Sequence, residues 1–434
     1  MASILPRLHQ VNAQLESLLP AHVILQACRE AGWQFRHRVL DPVATIHTLI
    51  VQLLACTSLR GVRHVAGLSV SKQAIAQARA RLPLLILLQL VQQLCQQAMA
   101  DVGGQADWRG HRLVLLDGPC GRVDDTPALR QRYGKSRNQR GLSSGCPVIR
   151  LLALLDASTG LIRKILSMPY TCSEVRGFAR VLRQLLAHDL LLADRGLVGF
   201  AQLALLQVRK VCFCIRLPRY LIVRGRGKGC HRRCRRLGRQ DLLVQWKRHF
   251  RSKRPNWMSR RRYALLPQSL LLRQISFQLH RKGFRSVWVW IITDRLDPRA
   301  YPAKELARLY ARRWQIEVDF RDLKCTLQMK HLRSRSEAAV RKELAGFVIL
   351  YNLIRLTMAH QASRQQVQAT RISFLDTANW LLWSDWQASP EELLINPLRQ
   401  RKTQPRAIKD YRRNFGRLSR PRAQLERPAY EVVL

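Results

Sequence analysis

The sequence predicts an α/β fold: a mixed sheet flanked by helices and interrupted by a β-rich insertion, with a helical N-terminal domain and a helical, basic C-terminal region. Three observations predict it. Two short apolar runs, LVLLD (Leu113–Asp117) and LLLAD (Leu190–Asp194), each end in an aspartate beside a glycine-containing turn, the pattern of a strand buried on both faces with a carboxylate at its mouth. Residues 216–262 hold 18 Lys or Arg against the single acid Asp241, with Gly225, Gly227 and Gly229 breaking any helix. Residues 310–324, YARRWQIEVDFRDLK, show helical periodicity in both charged and apolar positions.

The 434-residue chain is long enough for one large core plus smaller units, and its 47% hydrophobic content is ordinary for a globular protein. Its charge is not: 75 Lys and Arg against 28 acids give +47 and a pI near 11.4. Such an excess implies a polyanionic partner whose counterions are released on binding, and nucleic acid leads. A basic ribosomal or membrane-surface protein would share the charge, but neither calls for acids placed singly at strand ends. Eleven scattered cysteines and an N-terminus without an apolar signal core fit a reducing cytoplasm. The apolar run from Leu84 to Leu94 is broken by glutamines and falls short of the roughly 20 residues that span a bilayer, so no membrane segment is expected.

Taken in order, residues 1–105 read as a helical domain, with apolar residues at helical spacing through Val43–Leu54 and Ala74–Leu94. Within it, Ser71 is a candidate N-cap for a short basic helix that ends before Pro83. That helix either lies on DNA or is a packing helix whose Arg79 and Arg81 are solvated. Residues 106–215 read as the first part of a core. After LVLLD come two strands about the turn Asp156–Gly160, a helix over Ser173–Leu186 capped by Ser173, and LLLAD. Strand, strand, strand, helix, strand is the opening order of a ribonuclease-H-like sheet. Asp125 and Asp294 are competing acids, and their Thr-Pro and Asp-Pro surroundings assign both to loops.

Residues 216–292 form the basic, β-rich insertion, closed by the strand VWVWII (Val287–Ile292). Strand alternation puts Trp288 and Trp290 on one face, where a ring would stack an unpaired base or else fill the sheet's packing. Cys212, Cys214, Cys230, His231, Cys234 and His249 suggest zinc, but C-x-C and C-x3-C lack the paired spacing of a zinc ribbon or knuckle. Cationic neighbours instead predict thiols of lowered pKa. Residues 293–364 complete the core. Glu337–His360 is a second long apolar helix, expected to pack the 310–324 helix onto the sheet. Residues 365–434 carry Trp380, Trp383, Trp386 and a basic tail too poor in apolar residues to fold alone, a candidate for dimer or DNA contact.

At about 100° per residue, Tyr310, Arg313, Glu317 and Lys324 fall within an arc of roughly 60° on an α-helix. Asp319, Asp322 and Glu305 point away from it, so Glu317 is the one acid among two cations and a phenol. Taken alone, the pattern would also suit an Arg313/Glu317 ion pair on a surface helix.

The spacing Y-x2-R-x3-E-x6-K, complete at Tyr310, Arg313, Glu317 and Lys324, resembles the signature of the insertion-sequence-four family of bacterial DDE transposases. The resemblance covers most of residues 111–360, extends to the Asp-Thr-Pro at Asp125 and touches the N-terminal region. It implies a ribonuclease-H-like core in which Asp117, Asp194 and Glu317 are catalytic and bind two Mg²⁺ ions, with Mn²⁺ able to substitute. It further implies that Arg313 and Lys324 neutralise phosphate oxygens, that Tyr310 donates a hydrogen bond to one, and that Trp288 or Trp290 stacks a flipped base in a hairpin intermediate. The implied function is cut-and-paste cleavage and strand transfer at the ends of an insertion sequence. Its partners are double-stranded transposon-end and target DNA, bound by a homodimer in the synaptic complex at the nucleoid. Two other readings use the same charge: a transposase-derived DNA-binding regulator without cleavage, and a nuclease of this fold that cuts without joining.

Overall fold

The computed structural model describes residues 16–36, 38–101, 108–136, 145–225, 227–228, 231–248, 254–280, 286–314, 319–367, 369–383 and 431–433. The chain begins with α1 (Ala21–Glu30), α2 (Pro42–Leu54), α3 (Leu59–Val65), α4 (Lys72–Arg81) and α5 (Leu84–Asp101). Their starts are written in the sequence. Asp41, Ser58 and Ser71 each accept the backbone N–H three residues on, at 2.8, 3.1 and 3.1 Å, and Pro42 occupies a first-turn position where its missing N–H costs nothing. Then follow β1 (Leu113–Asp117), β2 (Cys120–Val123), α6 (Pro127–Tyr133), β3 (Val148–Asp156), β4 (Ile162–Pro169), α7 (Glu174–Val181), β5 (Leu190–Ala193), α8 (Phe200–Val208) and β6 (Cys212–Arg216). The insertion supplies β7 (Gly227–Lys228), β8 (His231–Gly238), β9 (Asp241–Lys247), α9 (Arg260–Ala264), β10 (Ser269–His280) and β11 (Val287–Thr293). The remainder is α10 (Ala303–Ala311), β12 (His331–Leu332), α11 (Glu337–Arg364), α12 (Phe374–Trp383) and β13 (Glu431–Val433). The fold class is the α/β one expected, a mixed sheet with flanking helices in the ribonuclease-H-like manner.

The chain divides into two compact units. The first comprises Met1–Ala106, Gly118–Ser173 and Ile316–Asn396. Its axis is α11, a 28-residue helix started by the Ser336 side chain on Ala339 N and packed on α2, α5, α12 and β4. Gly346 allows the close crossing with α2: a Cβ there would meet the side chains of Leu49 and Leu53 at 3.0 Å. Asn352, wholly buried, takes the N–H of Ile162 at 2.9 Å and donates to its carbonyl at 3.0 Å, joining α11 to the edge of β4. Strands run β12-β2-β3-β4, with β12 parallel to β2 and the other pairs antiparallel.

Two expectations change here. Arg79 is not solvated: its guanidinium bonds Gln52 and the carbonyl of Thr48 (3.1 Å), fastening α4 to α2, and burial lowers its pKa to about 10, while Arg81 is exposed. Lys342 of α11 then caps α4, donating to the carbonyls of Arg79 and Ala80 at 3.0 and 2.7 Å. Second, α11 is chiefly the core helix of this unit, and it grips the segment after residue 318 through Arg355, described below.

The second unit comprises Asp107–Asp117, Glu174–Gln315 and Pro397–Leu434. Its strands run β1-β5-β6-β11-β10-β9-β8-β7. The first three are parallel, β11 and its successors antiparallel, and β13 adds to β10. β1, β5 and β6 are buried almost throughout, as their unbroken apolar runs require. The insertion is β-rich as expected, and β8 turns Arg232, Arg233, Arg235 and Arg236 to solvent.

Arg273 of β10 is fully buried and binds Asp241 of β9 with both ends of its fork, Nε to Oδ1 at 2.8 Å and Nη2 to Oδ2 at 2.5 Å. Its remaining nitrogen donates to the carbonyl of Tyr301 at 2.7 Å, in the loop that leads into α10.

The thiol expectation fails for β6. Cys212 and Cys214 sit inside the sheet, where burial pushes Cys212 up to about 11 against the opposing pull of Arg295, and Cys214 higher still. Cys230 and His249 lie outside the described residues. Among the described residues no three His, Cys, Asp or Glu side chains gather as a metal site, and no single helix is long and apolar enough to cross a membrane.

Candidate nucleic-acid processing site

The site in the second unit is built by register. β1 and β5 pair Leu116 with Ala193, and β5 and β6 pair Ala193 with Ile215. One residue further along these three parallel strands come Asp117, Asp194 and Arg216, side by side at the carboxyl ends, where open α/β sheets place their ligands. Each aspartate faces an arginine. Arg313 Nη1 lies 3.5 Å from Asp117 Oδ2, and Arg216 Nη1 lies 3.8 Å from Asp194 Oδ1.

Arg313 stands in the turn after α10 and is itself buried, its guanidinium carbon 5.9 Å from the centre of the Tyr310 ring. Tyr310 is fully buried and meets Phe277 in a T-shaped contact, ring centres 6.5 Å apart. Burial raises its phenol well above the ordinary tyrosine range, more than Arg313 pulls it down, so it remains a protonated donor at neutral pH.

The donor set suits a hard divalent cation. Asp194 Oδ1 is enclosed and accepts no hydrogen bond from the described residues, the arginine contact at 3.8 Å being too long for one, and Asp117 offers a second carboxylate beside it. Glu317 lies outside the described residues.

The stretch 310–324 is not one α-helix. α10 ends at Ala311, Arg312–Trp314 winds as a 3₁₀ turn, and Asp322–Thr326 winds as a π turn carrying Lys324, half-buried. A constant 100° per residue therefore does not hold across the signature, and the roughly 60° arc is an idealisation. Asp319 and Asp322, which the sequence placed away from that arc, both bind Arg355.

The competing acids are engaged in loops, as expected. Asp125 pairs with Lys135 and Arg130 at 2.8 and 2.9 Å, and Asp294 accepts from Phe213 N at 3.0 Å and from Arg295 at 2.8 Å. Trp288 and Trp290 share a face of β11 with ring centres 6.0 Å apart, and Trp288 is the more open, 42% exposed.

Arg216 is the residue that sequence reasoning assigned only to the basic insertion. Its signal was available: CFCIR is a third apolar run ending in a charge, parallel in form to LVLLD and LLLAD.

Compared with known proteins, residues 108–353 match the family described as the transposase DDE domain. The chain is 25% identical over 257 residues to the transposase InsG for insertion sequence element IS4 of Escherichia coli (strain K12), a match covering 59% of this chain and 54% of that protein. It is 29% identical over 141 residues to the putative transposase InsZ of the same organism, covering 32% and 44%. The chain thus spans about half the length of the curated relatives it matches. A cryo-EM structure of a piggyBac transposase synaptic complex with hairpin DNA aligns with 86% of this chain and 79% of its own at a TM-score of 0.40 and 11% identity, too distant a likeness to argue from.

Proposed function

Because this chain belongs to the DDE transposase family, in its insertion-sequence-four type, we propose that it cuts the ends of a bacterial insertion sequence and joins them to target DNA. The observation that carries this is the row Asp117, Asp194 and Arg216 at the ends of three parallel strands, with Arg313 against Asp117. Glu317 supplies the third carboxylate. Two divalent ions, Mg²⁺ by preference for hard oxygen donors, supply a lowered pKa for the attacking water or 3′-hydroxyl and charge neutralisation at the leaving oxygen.

The chain's own groups do the rest. Asp117 and Asp194 present oxygens from adjacent strands whose register fixes their spacing. Arg313, Arg216 and Lys324 bind phosphate oxygens and hold the scissile bond in line. Tyr310, kept protonated by burial, orients Arg313 and is the candidate donor to a phosphate oxygen. The exposed arginines of β8 hold flanking duplex, and Trp288 or Trp290 receives a flipped base while the end passes through a hairpin. The working form is a homodimer across two transposon ends, acting on DNA at the nucleoid.

The test is incubation of the purified chain with its element's ends and a target plasmid in Mg²⁺. Asp117→Asn, Asp194→Asn and Glu317→Gln are each expected to abolish cleavage while leaving DNA affinity near that of the parent, since one metal ligand hardly alters a +47 surface. DNA binding without cutting by the parent would favour a regulator, and cutting without joining a nuclease.

A further inference from the structure

The loop that follows Arg216 is held at both ends by neighbouring strands. At its start, the N–H of Leu217 donates to the carbonyl of Trp290 in β11 at 2.7 Å. At its end, Gln274 of β10 grips Val223 twice: its Oε1 accepts the Val223 N–H at 2.8 Å and its Nε2 donates to the Val223 carbonyl at 3.0 Å. Leu217, Val223 and Gln274 are all buried. Between the two anchors, Pro218 (φ −70°) leads into a 3₁₀ turn over Arg219–Leu221, with the N–H of Leu221 on the Pro218 carbonyl at 3.0 Å. In the middle of this turn Tyr220 is 82% exposed. Arg219 beside it and Arg224 just past the second anchor are exposed as well.

Apolar side chains exposed singly are ordinary on a protein surface, so exposure alone decides nothing. Three further facts set Tyr220 apart. Its backbone is fastened on both sides, so little freedom is lost when a partner lands on the ring. Its exposed neighbours are cations, which suit a phosphate backbone and leave the faces of the ring to a base. Its place in the chain is four residues past Arg216, which stands 3.8 Å from Asp194. Four residues reach at most about 14 Å, the length of about four nucleotides along one DNA strand. β11 runs antiparallel to β6 with Ile291 opposite Arg216, so Trp290 and Trp288 lie beyond the same end of β6 as this loop.

We propose that Tyr220 is a base-stacking residue: its ring takes an unpaired base within about four nucleotides of the scissile phosphate, while Arg219 and Arg224 hold phosphates on either side. This role rests on the proposed cleavage site at Asp117 and Asp194. It adds a platform on a fastened turn to the two tryptophans on β11. A fully paired duplex offers the ring no base face, so Tyr220 favours ends that are opened or already cut.

The test uses the full chain with two duplexes of the element's end, one fully paired and one with four base pairs at the cleavage point opened by mismatches, in EDTA so that binding is read without cleavage. Tyr220→Ala is expected to weaken binding to the opened duplex about 5- to 150-fold and to leave binding to the paired duplex within about 2-fold of the parent. Tyr220→Phe, which keeps the ring, is expected to bind both as the parent does. 5-Iodouracil placed at one opened position at a time should crosslink to Tyr220 on irradiation, with the modified peptide mapped by mass spectrometry. No loss in Tyr220→Ala, an equal loss on both duplexes, a Tyr220→Phe as weak as Tyr220→Ala, or crosslinks only to Trp288 or Trp290 each overturns the role. Asp194→Asn, assayed for cleavage in Mg²⁺, separates the two readings. If it cleaves as the parent does, the proposed site has failed and the role of Tyr220 with it; if it is dead while Tyr220→Ala binds both duplexes as the parent does, only the role of Tyr220 has failed.

Discussion

Replacing Arg273 by methionine should damage the second unit more than any surface change, because the substitution leaves a charge behind. Asp241, 7% exposed, would lose both of its charge-assisted bonds, at 2.8 and 2.5 Å, and stay buried as an unpaired carboxylate. Breaking a buried pair from one side costs about 3–5 kcal/mol, and for a unit of this size each kcal/mol lowers Tm by about 2–4 °C, so a fall of about 6–20 °C is expected. The double variant Arg273→Met/Asp241→Leu removes the stranded charge as well. Its residual deficit is the carbonyl of Tyr301, left without its donor at 2.7 Å, a loss of about 1–3 kcal/mol. Thermal unfolding by circular dichroism, with DNA affinity as a check on the native state, reads both. The double variant must melt above the single one. If the two melt together, the cost came from lost packing volume and the electrostatic argument is wrong.

Nonspecific duplex binding should fall linearly in log–log terms with salt, and changing Arg232, Arg233, Arg235 and Arg236 to glutamine should reduce the slope by about 0.9 for each phosphate no longer neutralised; an unchanged slope would remove β8 from the DNA interface. Trp288→Ala should slow hairpin formation or resolution about 5- to 150-fold, the equivalent of the about 1–3 kcal/mol of one stacked base, while sparing the first nick. Trp290→Ala should cost more in thermal stability, its ring being less exposed, and equal slowing of every step in both variants would point to folding damage instead. His47 is buried with Nε2 3.1 Å from the carbonyl of Leu19, and burial lowers its pKa below 6.5. The unfolded chain therefore takes up a proton that the folded one resists, and stability drops as pH falls through about 6.5. His47→Gln should flatten that drop in Tm, and an unaltered profile would assign it to other groups.

Much of this was legible because single residues imposed it. Asp41, Ser58 and Ser71 mark helix starts by cap chemistry, and LVLLD and LLLAD have the unbroken apolar character that only a strand covered on both faces tolerates. Even α6 was marked, by Thr126 accepting from Leu129 N at 3.3 Å and by Pro127 in the first turn, though the Asp-Thr-Pro context read as a loop. Other features depend on partners remote in sequence. Nothing near Arg79 announces that its charge is spent on Thr48 and Gln52, and the thiols of β6 follow burial that the arginines around them in sequence do not reveal. The change of pitch at 312–326 is of the same kind. Periodicity assumes one helix geometry, and local propensity contains no term for an arginine 33 and 36 residues downstream of the carboxylates it binds.

The order in which the chain visits its two units has a bearing on what shortened copies can become. Each unit is assembled from separated stretches, and the first is not closed until α11 arrives at residue 337. A product that stops earlier would hold α2 and α5 but not the long helix that covers their apolar faces, with Leu49 and Leu53 facing water where Gly346 should pass. Such a product would expose that apolar surface to proteases and chaperones. Loss of residues 337 onward therefore removes the core helix of the first unit, whereas a point substitution at Asp117 or Asp194 would leave the packing of both units in place.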